Sequence, residues 1–199
     1  MKKINKGAYG YTQNHKIRQA IRTFIFFALP LSLVAVGLLS TNEKLNLLTV
    51  IGMCGSIPAC KEMVNLIIFL PRKSMSAELY KSIHPHVESM VHLYELVLTT
   101  YEKNYQVDSL IVSGSYVVGY TTKTDMDTKS AENHIRKVLK DNGLRQNVKI
   151  FTDLKHYLER VDKLASRPEK EEIPFTPDER YPELTREELI KHLILALSI

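Results

Sequence analysis

Residues 84 to 92 collect side chains that bind metals: His84, His86, Glu88 and His92, the last two one helical turn apart. That spacing lets a carboxylate and an imidazole reach one ion. Pro85 divides the first pair and no further ligand is suitably spaced, so a solvated helix start is the expected reading and no metal set is assigned. In TKTDMDTK, Asp125 and Asp127 alternate as calcium ligands do, but the glycine and terminal glutamate of such a loop are missing. A loop ending in a helix cap is expected instead. Ser113, Gly114 and Ser115 are too few for a phosphate cradle and read as a tight turn. Cys54 and Cys60 match no metal or redox spacing, which makes them small apolar side chains expected to be buried.

The most pointed chemistry is the pair Lys61 and Glu62 inside SIPACKEMVNLIIFL, an otherwise apolar run. The elements around it decide what the pair can do. Thr23 to Ser40 is uncharged and long enough to cross a hydrocarbon core of about 30 Å. Leu45 to Leu70 is also apolar, and only TNEK separates the two runs. A turn so short forces an antiparallel helical hairpin, here residues 23–70, after a basic lead-in over 1–22. A second apolar run following so closely argues against a cleaved signal peptide.

Charge is distributed to match. Residues 1–73 carry +8, residues 74–166 are neutral and residues 167–199 carry −3, which together give the net +5. The basic excess flanks the apolar runs: Lys2, Lys3, Lys6, Lys16, Arg18 and Arg22 come before, Arg72 and Lys73 after, and only Lys44 lies between. The expected arrangement is a multi-pass protein of the cell membrane with both ends cytoplasmic and the lipid bilayer as its first partner. A nucleic-acid partner is not expected, because the excess is absent from the soluble part.

In a hairpin centred near Asn42, residues equally far from the turn lie at one depth. Arg22 and Glu62 are such a pair, so Arg22, Lys61 and Glu62 are expected at the membrane interface, where lysine can snorkel and Glu62 can meet Arg22. A central position would cost about 2.5 to 3.5 kcal/mol per charge. Met63 to Leu70 would then extend past the membrane alongside Asn14 to Arg22. A buried charge pair with transport or sensing duties and a hairpin that does not span are the alternatives. Gly52 with Ser56 and Gly55 with Ala59 form small-xxx-small pairs that allow close helix approach, within the hairpin or between subunits.

After Pro71 the pattern predicts a soluble α+β or α/β domain over 74–166, with about three strands flanked by helices. AELYKSI, capped by Ser74 or Ser76, is a short helix ending at His84. A long helix should then run from Pro85 to about Lys103, with Val87, Met90, Val91, Tyr94, Val97, Leu98 and Tyr101 on its core face. VDSLIVSG and SYVVGYTT read as strands of a hairpin turning at Gly114. KSAENHIRKVLKDNG is a helix capped by Asp127 or Thr128 and closed by Gly143. NVKIFT is a third strand, and DLKHYLERVDKLA a helix capped by Thr152 or Asp153. Residues 167–184 alternate proline with acids and read as an extended linker. Thr185 and Glu188 form a capping box opening a helix over 185–199, apolar nearly all round. It must bury itself on its own domain, a second subunit, a protein partner or the membrane surface.

At the level of elements, residues 86 to 163 resemble the core of the PD-(D/E)XK nuclease superfamily. The resemblance implies Glu95, Asp108 in VDSLIV and Lys123 in YTTK as catalytic residues, with Mg²⁺ bound by the carboxylates and lysine steadying developing charge. Thr121 stands where the second acid belongs. The stretches KGAYGY and PACKEMVNLI resemble small two-span bacterial membrane proteins. The expected function is a membrane-anchored binding or assembly module with no catalysis and no cofactor of its own. The alternatives are a membrane-tethered, metal-dependent nuclease-like enzyme and an oligomeric sensor or channel.

Overall fold

A computed structural model describes residues 4–41, 46–100, 103–166 and 183–198. It divides into two units, one running from Gly10 to Ser74 and the other joining Ile4–Tyr9 to the chain after Met75. The TNEK turn, apart from Thr41, and most of the proline-rich linker lie outside the described residues.

The first unit is a pair of helices, α1 (Tyr11–Thr41) and α2 (Leu47–Phe69). Both are long and apolar enough to cross a membrane. Asn46 caps α2, its Oδ1 accepting from the Thr49 backbone at 2.8 Å. The enclosed positions of α1, Thr12, Gln19, Thr23, Pro30 and Gly37, recur at steps of seven or its halves, as do Thr49, Gly52, Ala59 and Phe69 on α2. This is the spacing of helices packed at a shallow angle. His15 packs against Phe69 with tilted rings whose centroids are 4.2 Å apart, and the two residues are equally distant along the chain from Asn42. The register inferred from the turn is therefore the observed one to within a helical turn.

The second unit is a three-layer α+β domain. Its elements are α3 (Ala77–Val87), β1 (Val91–Thr99), β2 (Asn104–Ser113), β3 (Tyr116–Tyr120), α4 (Thr128–Asp141), β4 (Asn147–Phe151), α5 (Leu154–Ala165) and α6 (Arg186–Leu197). The four strands lie in sequence order, with β1/β2 and β2/β3 antiparallel and β3/β4 parallel. Because parallel neighbours need a crossover, α4 connects β3 to β4. One sheet face packs on α4 and α6 through Leu110, Ile135, Leu139, Ile190 and Ile194; the other packs on α3 and α5 through Ile83, Val87, Ile111, Tyr157 and Val161.

Local signals set most boundaries. Ser76, Asp127, Asp153 and Thr185 cap α3, α4, α5 and α6 through their side chains, with the capping box at Thr185 and Glu188 in place. Gly143 (φ +76°) ends α4 with Leu144 N donating to Leu139 O at 2.8 Å, the closure that a left-handed residue permits.

The helix expected from Pro85 to Lys103 is not there. Pro85 lies inside α3, which runs on past His84, and residues 91–99 form β1, making four strands rather than three. The helical spacing was produced by an irregularity in the strand. Leu93, Leu96 and Leu98 face α4 and α6, while Tyr94 faces α3 and α5. The alternation thus shifts by one residue at Glu95, the one non-glycine with positive φ (+52°) among the described residues. A strand covered on both faces and shifted in phase spaces its apolar residues three and four apart, as a helix does.

The C-terminal helix docks on its own sheet. Leu189, Ile190 and Ile194 are enclosed, Leu98 bridges to Ser198, and Thr99 Oγ1 donates to Leu197 O at 3.3 Å. Arg186 and Glu187 hold the β2–β3 turn, bonding the carbonyl and amide of Gly114 at 3.0 and 2.9 Å. Ile4–Tyr9 also belong to this unit: Gly7 O accepts from Tyr94 N at 2.8 Å, and Lys6 Nζ reaches Leu195 O at 2.8 Å.

Candidate functional site

Glu95 and Asp108 occupy facing positions on β1 and β2, between the register pairs Tyr94 with Ser109 and Leu96 with Val107. The phase shift brings consecutive residues of each strand to the α3/α5 side. Tyr94 packs there while Glu95 Oε1 accepts from Met75 N at 3.0 Å; Ser109 Oγ pairs with Tyr157 OH at 3.0 Å. Glu95 is therefore on a strand, not on the long helix expected to present it.

Asp108 is 2% exposed and engaged through both oxygens. Oδ1 accepts from Gln106 Nε2 at 3.1 Å; Oδ2 accepts from the backbone and hydroxyl of Thr122, each at 2.7 Å. A carboxylate offers about four acceptor positions, so these bonds use most of them. Thr121, in the place of the second acid, turns its hydroxyl to Gln106 O at 2.8 Å and accepts from Lys123 N at 3.2 Å. Lys123 itself is exposed beyond the end of β3. These bonds tie β2 to the end of β3 around the sheet irregularity.

The tyrosines around it are tuned for neutrality. Burial pushes the Tyr157 hydroxyl well above the usual phenol range, with the Ser109 bond opposing only part of that rise. Tyr94 is raised likewise, by burial first and then by Tyr80 and Glu88. Tyr120 is raised by burial and by the nearby charge of Asp108. Tyr94 and Tyr157 serve as hydrogen-bonding phenols, to His84 and Ser109 respectively.

His84 and His92 meet edge to face with ring centroids 5.9 Å apart, both against Tyr94, yet each histidine bonds its own partner. His84 Nδ1 meets Tyr94 OH at 3.1 Å, His86 Nδ1 meets Asp162 at 2.6 Å, and His92 Nδ1 meets Met90 O at 2.9 Å. No group of three or more His, Cys, Asp or Glu side chains is arranged to hold a metal among the described residues. Asp127 is the cap of α4, bonding Ser130 N and Oγ at 3.1 and 2.8 Å.

In the hairpin, Arg22 and Lys61 are exposed and Glu62 is half-buried. Glu62 meets Gln19 rather than Arg22, accepting from Nε2 at 2.5 Å, while its carbonyl accepts from Thr23 Oγ1 at 3.2 Å. Residues 19 and 23 project toward α2; residue 22 projects away. Gly52 fits against α1 so closely that a Cβ would stand 2.6 Å from Val34 Cγ2 and 2.9 Å from Pro30 O. A Cβ at Gly55 would make ordinary contact with Pro30, Ala59 is fully enclosed, and Ser56 donates to Met53 O at 2.6 Å. Cys54 and Cys60 are exposed rather than buried, because the enclosed seam runs through Gly52 and Ala59.

None of the cavities was legible in the sequence, and one of them carries a cluster of cations. That one measures about 790 Å³ and lies where the start of β3, the start of β4 and the C-terminal part of α4 converge, lined by Arg136, Lys140, Arg145 and Gln146 among others. The basic residues and Gly143 are visible in the sequence as helix surface and helix stop. Their convergence with the β2–β3 turn depends on the parallel pairing of β3 with β4, which no local pattern reveals. No family model, curated protein or solved structure matches the chain.

Proposed function

We propose that the chain is a membrane-anchored binding or assembly module: α1 and α2 span the cell membrane, both ends are cytoplasmic, and the α+β domain binds without catalysis of its own. The observation that carries the anchor is where the large apolar side chains lie. Among the described residues, those left exposed fall between Ile17 and Leu70, including Phe24, Leu29, Leu31, Leu39 and Ile57, while Thr12, Gln19, Thr23 and Thr49 are enclosed. Apolar surface outside and polar or small groups at the helix contact suit a hydrocarbon surround. The basic residues beside both outer helix ends favour a cytoplasmic placement for them. Lys61 and Glu62 then fall near the inner interface, where Glu62 keeps a hydrogen bond and Lys61 can snorkel.

Binding rather than catalysis is favoured by the engagement of both Asp108 oxygens within the fold and the outward position of Lys123. The apolar side of α6 is already used on the sheet, so recruitment falls to other surfaces. Extraction of isolated membranes with alkaline carbonate tests the anchor. The full chain should stay in the pellet; release into the supernatant would mean that the helices do not span.

A further inference from the structure

The cavity beside β3 and β4 takes no part in the sheet irregularity at Asp108. Arg136, Lys140 and Arg145 bring three cations to its lining, and no carboxylate lines it. Its volume of about 790 Å³ is that of a small-molecule site. Arg136 is held from behind, Nη1 donating to Asn133 Oδ1 at 2.8 Å and Nη2 to Val148 O at 3.2 Å. A guanidinium carries five N–H groups, so this bracing still leaves donors for an oxyanion.

Clustered cations alone would attract any anion. The distinguishing feature is Gln146, which lines the same cavity, is only 6% exposed, and has no hydrogen-bond partner at either Nε2 or Oε1 among the described residues. A buried amide unsatisfied at both ends is costly unless something supplies a donor and an acceptor together. A hydroxyl does both, and a phosphate supplies the charge that the three cations call for. We infer that this cavity binds a phosphate ester of a small polyol, of glycerol phosphate type, with Arg136, Lys140 and Arg145 on the phosphate and Gln146 on the hydroxyls. The ester is either a free metabolite or the headgroup of an anionic phospholipid. The inference rests on reading the α+β domain as a binding module and gives that module its ligand class.

The test uses the full chain. In neutral detergent, calorimetric titration with glycerol 3-phosphate should show saturable binding, weakened about tenfold by Arg145→Ala through the loss of a charge-assisted contact. Gln146→Leu should weaken binding about fivefold while leaving the melting temperature unchanged or higher, since it removes an unsatisfied buried amide. A purely structural glutamine would do the reverse. In nanodiscs, slowed hydrogen exchange over residues 144–147 with phosphatidylglycerol, but not with phosphatidylcholine alone, identifies the lipid headgroup. The same slowing by free ester in phosphatidylcholine discs identifies the metabolite. Either result supports the site. Binding in neither arm, binding that both variants leave unchanged, or tighter binding of a single-stranded oligonucleotide would overturn it. A chain that resists carbonate extraction yet binds no phosphate ester would overturn the ligand class and leave the anchor standing.

Discussion

Leu39 and Leu110 are the same residue type in opposite settings: the first is 84% exposed on α1, the second wholly enclosed on β2. The contrast extends to their surroundings. The helix pair meets through Thr12, Gln19, Thr23, Gly52 and Ala59, whereas the sheet is sealed by Leu, Ile, Val and Tyr with its few polar groups bonded inward. On the proposed anchor reading, two solvents would account for the two patterns. In water, burial of apolar area drives packing. In hydrocarbon that drive vanishes between helices, and close backbone approach and hydrogen bonds take over.

The contrast can be broken most sharply by one truncation made twice. Leu110→Ala should cost the α+β domain about 2–5 kcal/mol, as emptied core positions do, while Leu39→Ala should leave the hairpin within about 0.5 kcal/mol. Comparable losses at both positions, read from melting in detergent, would erase the distinction. Overpacking reverses the ranking of side-chain size: Gly52→Leu drives atoms into Val34 and the Pro30 carbonyl and should cost roughly 1–3 kcal/mol or separate the helices. A crosslink between cysteines placed at positions 34 and 52 reports that separation only as a loss in the parent pair, so interhelical distance by spin labels outside the seam is the better readout.

The polar devices of the two units should also differ in weight. Asp108→Asn replaces one acceptor oxygen by an NH2 group, forfeiting either the Gln106 bond or the Thr122 backbone bond, and should cost about 1–3 kcal/mol. In the hairpin, Gln19→Leu removes the bond to Glu62 and should cost only about 0.6 kcal/mol, the typical size of such bonds between membrane helices.

The domain should also respond to pH. Tyr94 and Tyr157 hold their protons more tightly when folded than when unfolded. Their contribution is therefore intact below the unfolded value of about 10 and is lost as pH rises above it. Chemical denaturation at rising pH should show stability falling from about pH 10, with a shallower fall in Tyr157→Phe. An identical slope in the variant would exclude Tyr157 as a source.

What the sequence made legible follows the same division. The hairpin could be read because uncharged length and a short turn are local properties, and antiparallel depth then follows from the rise of a helix. The phase of the seam was legible only approximately, which is why Arg22 was matched to Glu62 when Gln19 and Thr23 hold it. In the domain, caps at Ser76, Asp127, Asp153 and Thr185 marked helix starts because they act within four residues. Strand β1 was concealed by the shift at Glu95, an effect that exists only when β1 pairs with β2. The docking of α6 and the cavity around Gln146 are likewise products of long-range pairing, and neither leaves a periodic trace.

Topology is the property on which the membrane-anchor reading stands or falls. Impermeant thiol labelling of a chain without Cys54 and Cys60, carrying Glu43→Cys or Lys61→Cys, addresses it from each side of sealed membranes. The expected result is reaction of position 43 only from outside and of position 61 only from the cytoplasmic side. Labelling of both positions from the cytoplasmic side alone would contradict a two-span anchor.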